Sequence, residues 1–120
     1  MTRGRGERGA VTAELAMGLP LLVALTLCLV WLLSLAAGQV RVVDAAREAA
    51  RLVARGDDPE QARGLAERIA PDGVAVEISR DGDWVVVRAS VRVEPFDSAL
   101  GRLGAVTLSA ESTAAAESPR

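Results

Sequence analysis

Gly9-Ala10-Val11-Thr12-Ala13-Glu14-Leu15-Ala16-Met17-Gly18-Leu19-Pro20 opens a run that continues from Leu15 to Val40 without one charged residue. As a helix, the uncharged part is about 39 Å long at roughly 1.5 Å per residue, more than the ~30 Å hydrocarbon core of a bilayer. Leu15, Leu19, Leu21, Leu22, Leu25, Leu27, Leu29, Leu32, Leu33 and Leu35 fall on every face, so no side is kept for water. The reading is a membrane-spanning helix over about residues 15–38. It leaves room in this chain for one small domain besides.

Glu14 stands at the mouth of the run. A carboxylate at the centre of a bilayer costs about 3 kcal/mol, less near a helix end where it reaches the interface. An interfacial Glu favoured by the helix dipole is one explanation. A second uses the basic leader Thr2-Arg3-Gly4-Arg5-Gly6-Glu7-Arg8 that precedes Gly9. A cut after Gly9 makes the amine of Ala10 a new positive charge one helical turn from Glu14. That amine then pairs with its own Glu14 or with that of a neighbouring subunit.

A short basic leader ending in Gly, a Glu at the fifth mature position and then an apolar helix resemble the processing site of type IV pilins. More narrowly, Gly9 to Pro20, followed by Val-Arg-Val-Val-Asp-Ala-Ala-Arg-Glu-Ala-Ala-Arg (Val40 to Arg51), is similar to TadE-like minor pilins of tight-adherence (Flp-type) pili. The resemblance covers roughly residues 6–55. Where major Flp pilins carry an aromatic residue after the Glu, this chain has Leu15, which suits a minor pilin or pseudopilin. The resemblance implies cleavage between Gly9 and Ala10 by a prepilin peptidase, and a role for Glu14 in subunit register. It also implies other pilins, the pilus assembly machinery and membrane lipid as partners.

Composition removes other functions. There is no His and one Cys, Cys28, in the middle of the apolar run. Imidazole-dependent catalysis and ordinary zinc sites are therefore absent, and no intrachain disulfide is available. The pairs Asp57/Asp58 and Asp81/Asp83 fall where helix capping and turn chemistry already account for them. The reading is a noncatalytic protein without cofactor, metal or small-molecule substrate. Loss of Arg3, Arg5 and Arg8 with the leader makes the formal charge of −2 more negative, against nucleic-acid binding.

In chain order, residues 1–9 read as a flexible leader, whose arginines favour a cytoplasmic N-terminus. The extracytoplasmic placement of the rest leans on the pilin resemblance, because Arg41, Arg47, Arg51 and Arg55 lie beyond the span. Gly18 and Pro20 are the weak points of the helix, since Pro20 has no amide to give the carbonyl of Ala16; a kink is expected there. Thr26 and Ser34 are expected to bond back to their own helix. A lipoprotein site at Cys28 fails because Leu27 precedes it, whereas Ala36-Ala37-Gly38 fits a secretory cleavage site poorly, its apolar segment being overlong.

The helix is expected over 10–55, with Val42, Val43, Ala46, Ala49, Ala50, Leu52 and Val53 on one side. Asp44–Arg47 and Glu48–Arg51 stand at ion-pair spacing on the other, and Gly56 is the stop. Asp58-Pro59-Glu60-Gln61 reads as cap, first-turn proline and capping box of a short second helix to Ala70. It buries Ala62, Leu65, Ala66 and Ile69. From Val74 the period is two. Val74, Val76 and Ile78 alternate, Asp81-Gly82-Asp83 turns, and Trp84 to Glu94 returns with Val85, Val87, Ala89, Val91 and Val93 on one face. Ala99 to Leu103, capped by Asp97 or Ser98, is a candidate helical turn. Ala105 to Thr113 is a third strand with Val106, Leu108 and Ala110 inward, and 114–120 reads as a frayed tail. Trp84 and Phe96 are candidate contact residues.

The expected fold is α+β: a long N-terminal helix packed through its outer half on a small three-stranded antiparallel sheet, with a short second helix in a domain over 56–113. The function it suggests is that of a minor pilin. The alternative is a single-pass membrane protein whose outer domain binds a partner without polymerising.

Overall fold

A computed structural model describes residues 3–95 and 103–117, with side chains from Gly6 onward. The order of elements is α1 (Arg3–Ala54), α2 (Pro59–Ile69), β1 (Ala75–Asp81), β2 (Trp84–Val93) and β3 (Val106–Ala115). Met1–Leu33 and Ser34–Arg120 are separate compact units, and α1 contributes to both. The α+β class expected from the sequence is the one observed.

α1 starts at Arg3, where a flexible leader up to Gly9 was expected. A helix already nucleated in the leucine run extends by one hydrogen bond per residue. Gly4, Gly6 and Gly9 weaken this extension by about 1 kcal/mol each against alanine and do not interrupt it. The helix also runs without a break through Gly18 and Pro20. Its other end is a Schellman motif: the Gly56 amide donates to the Val53 carbonyl at 3.0 Å and the Asp57 amide to the Leu52 carbonyl at 3.1 Å. This geometry places Gly56 at φ 100°, in the left-handed region, and so accounts for the glycine.

α2 begins as its sequence dictates. Asp58 Oδ1 accepts from the Glu60 amide at 3.1 Å, and Pro59 occupies the first turn. The returning bond of a capping box, from the Asp58 amide to the Gln61 side chain, is not among the hydrogen bonds of the described residues. Ala62 and Ala66 are buried, Leu65 and Ile69 half-buried. Arg41 reaches from α1 to the far end of α2, donating through Nε to the Ile69 carbonyl at 3.0 Å and through Nη2 to the Ala70 carbonyl at 3.3 Å. A cation on the last carbonyls of a helix also meets the negative end of its dipole.

The sheet is an antiparallel meander in the order β1-β2-β3. Asp81 pairs with Trp84 across a two-residue loop, Gly82-Asp83. Gly82 has φ 61° and Asp83 a negative φ, the signs of a type II′ turn, which demands glycine first. β3 runs to Ala115, two residues beyond the strand expected, and Ala116 and Glu117 are held too: their amides donate to the carbonyls of Asp83 at 2.7 Å and Ala54 at 2.8 Å. The frayed tail expected from Ala114 is therefore strand to Ala115 and hydrogen-bonded chain as far as Glu117. The helical turn expected at Ala99 to Leu103, with its caps Asp97 and Ser98, lies largely outside the described residues, as does Phe96.

The unit from Ser34 onward has one core among its described residues. Val42, Ala45, Ala46, Ala49, Ala50 and Val53 of α1 and Ala62 and Ala66 of α2 cluster with Val76, Val85, Val87, Ala89, Val91 and Leu108 of the sheet. Val106, expected inward, stays 37% exposed at the start of its strand. Most helical members are alanine, so α1 sits close on the sheet. At Gly38 there is no room for a side chain: a Cβ there would lie 2.8 Å from Leu108 Cδ1. Of the two ion pairs expected on the outer face of α1, Glu48–Arg51 forms at 3.2 Å. Asp44–Arg47 is not found among the ion pairs of the described residues.

Candidate functional site

The residues singled out near the N-terminus share one helix. Gly9, Ala10 and Glu14 lie in the exposed early turns of α1, and Ala10 and Glu14, four residues apart, are on one face. Glu14 has no ion-pair partner among the described residues, and a Cβ at Gly9 or Gly18 would meet nothing within 4 Å. Within the helix, Thr26 Oγ1 donates to the Leu22 carbonyl at 2.9 Å, as its sequence position suggests.

Energetics put this helix where water is not. The large aliphatic side chains from Val11 to Leu33 are 53–80% exposed, and Trp31 is half-buried. Covering a Leu or Val side chain is worth about 1.5–3 kcal/mol, so the run as a whole favours an apolar surrounding by an amount on the order of tens of kcal/mol. The cost of carrying Glu14 to the edge of that surrounding, below the ~3 kcal/mol of the bilayer centre, is small beside it. α1 is the one described helix long and apolar enough to cross a membrane.

The paired aspartates have structural work. Asp58 caps α2, Asp57 accepts from Arg55 Nη2 at 3.4 Å, and Asp81 and Asp83 flank Gly82 in the β1–β2 turn. On the solvent face of the sheet, Arg88 donates to Glu111 Oε2 through Nη2 at 2.6 Å and Nε at 3.1 Å. The hydrogen bond to Glu111, with its negative charge, raises the Arg88 pKa. Trp84, the described candidate contact residue, is 53% exposed at the start of β2.

Sequence reasoning missed two side chains that tie α1 to its neighbours. Gln39 Nε2 donates to the Ser109 carbonyl at 3.0 Å, and Arg41 closes α2. A polar Gln at the end of an uncharged run was the available signal for the first. The second reads in sequence only as part of a positive cluster, because its acceptors are backbone carbonyls 28 and 29 residues away.

Comparison with known proteins points to the same stretch. The family model described as TadE-like protein matches residues 9–51. Among curated proteins, the apoptosis inhibitor Rv3655c of Mycobacterium tuberculosis (strain ATCC 25618 / H37Rv) is 48% identical over 66 residues, covering 55% of this chain and 51% of that protein. The chain thus spans about half the length of the curated relative it matches. No solved structure matches. From the proposed cut at Gly9 to Arg51, near the end of α1, the sequence is TadE-like.

Proposed function

We propose that this chain is a minor pilin or pseudopilin of a tight-adherence pilus. A prepilin peptidase cuts it after Gly9. Residues 15–38 then hold it in the cell membrane, with its N-terminus cytoplasmic and the chain beyond Gly38 outside. It acts by assembly with other pilins and the pilus machinery, without catalysis. The observation that supports this most is the placement of Ala10 and Glu14 one turn apart at the mouth of an exposed apolar helix, inside the TadE-like segment.

The chemistry is consistent with the placement. The Gly9–Ala10 bond is helical in the uncut chain, and a peptidase needs extended backbone; three glycines in the first two turns keep local unwinding cheap, at about 1 kcal/mol less helix stability each. After the cut, the Ala10 ammonium and a Glu14 carboxylate neutralise one another where neither is well solvated. Pro20 leaves the Ala16 carbonyl without its ladder partner, and a kink or loosening there eases transfer of the helix from lipid into a packed filament.

The test is the N-terminal residue and intact mass of the protein isolated from its native membranes. A start at Ala10 is expected. Retention of Met1 or Thr2 overturns the pilin reading, and a start after Ala37 or Gly38 indicates a secreted domain.

A second reading has one observation in its favour, the name of the relative Rv3655c as an apoptosis inhibitor. There the outer unit binds a separate partner without polymerising. It requires an uncut N-terminus and indifference to Glu14→Ala.

A further inference from the structure

The two edges of the sheet are treated differently. At β1, α2 lies alongside and Arg63 Nη1 donates to the Val76 carbonyl at 2.6 Å, covering an outward-facing acceptor. At β3 the backbone can be followed by parity. The tight turn makes Asp81 and Trp84 a hydrogen-bonded pair, so the next residues of β2, Val85, Val87 and Ala89, bond toward β3, opposite Ala114, Ser112 and Ala110. Ser109, Glu111, Thr113 and Ala115 therefore turn their N–H and C=O groups outward. The Gln39 bond to the Ser109 carbonyl and the Glu117 bond to the Ala54 carbonyl agree with this and cap the two ends of the outer edge. Between the caps, the outward backbone groups of Glu111, Thr113 and Ala115 meet no partner among the described residues.

Beside this open edge lies a groove of about 430 Å³. Its helix wall carries Arg47, Arg51, Ala54 and Arg55, and its strand wall runs from Ser112 to Ala115, with Glu117 also in the lining. α1 runs alongside β3 here, since Gly38 stands against Leu108 and Ala54 against Glu117. The arginines recur every four residues, about 6 Å along a helix, and alternate residues of a strand recur every ~6.7 Å. The two rows keep step over the length of the open edge. Arg47 has no acidic partner among the described residues, while Arg51 holds Glu48 at 3.2 Å and Arg55 holds Asp57 at 3.4 Å, both in solvent and open to exchange.

We propose that the edge of β3 from Glu111 to Ala115 receives, as an added strand, an extended segment of another protein whose alternate side chains are acidic. Backbone pairing supplies the outward N–H and C=O groups with partners, and the acidic side chains on the helix side meet the arginine row. A second copy pairing edge to edge is disfavoured, because the two-fold would bring two arginine rows together. This site lies in the unit from Ser34 onward and does not depend on pilin processing.

The test uses the full-length, isotope-labelled chain in detergent micelles and an acetylated, amidated peptide alternating valine and glutamate, with a valine–lysine peptide as control. The glutamate peptide is expected to slow amide exchange at Glu111, Thr113 and Ala115 by about tenfold or more, and the lysine peptide to leave it unchanged. Thr113→Pro removes an outward donor and spares the ladder to β2; binding should be lost while Ala110 and Ser112 stay protected. Arg47→Glu with Arg51→Glu should weaken binding about tenfold. Three results overturn the proposal: no protection by the glutamate peptide, equal protection by both peptides, or protection without peptide that grows with protein concentration and so identifies a second copy.

Discussion

Alanines set the distance between α1 and the sheet. Ala45, Ala46, Ala49 and Ala50 are at most 1% exposed, and the strand residues clustered with them, Val85, Val87 and Ala89, are fully buried. Extra volume has nowhere to go in such a seam. Ala49→Leu should lower unfolding free energy by about 1–3 kcal/mol, seen as a lower denaturant midpoint with little change in slope. Gly56→Ala acts by a different cause, since φ 100° is strained for any residue with a Cβ; a loss of about 1–2 kcal/mol is expected from the same measurement. Glu14→Gln keeps volume and removes charge. On the proposed pilin role it should leave membrane insertion and the fold of the outer unit intact and abolish incorporation into sheared pili, judged by immunoblot.

Among the elements, α2 is the shortest helix and the most dependent on its ends. Asp58→Ala should cost about 1 kcal/mol of stability, with faster amide exchange in the first turn of α2 as its local sign. What could be read from sequence follows how local each cause is. The leucine run, the Gly56 stop, the Asp58-Pro59 cap and the alternating apolar residues of β1 and β2 each carry their reason within a few residues, and all were legible. The end of β3 was not, because Ala114, Ala115 and Ala116 have no pattern of their own; their place is fixed by Val85, Trp84 and Asp83 across the sheet. The helical conformation of Arg3 to Gly9 was missed for the converse reason: local glycines argued for a coil, and the helix behind them propagated. Ala10 and Glu14 were legible as neighbours by spacing alone. The open edge of β3 was invisible, since it depends on which strand is last and on Gln39 and Ala54 of another element.

At the scale of the whole chain, every buried hydrophobic residue among those described lies at Val42 or beyond, within the unit from Ser34 onward, and Gly38 is the first buried position. A fragment of residues 34–120 should accordingly fold without the preceding helix. Circular dichroism and amide exchange should find β2 protected, and one cooperative unfolding transition is expected, of low stability for so small a core. The fasteners described along α1 also decide how this unit answers a mechanical pull. Gly38 seats on Leu108, Gln39 holds Ser109, and Ala54 holds Glu117, so helix and strand are joined at both ends of their common length. Tension entering at Ser34 along the helix axis is shared by these joints in shear and does not peel them open one at a time, which suits a subunit tethered by that helix to something that moves.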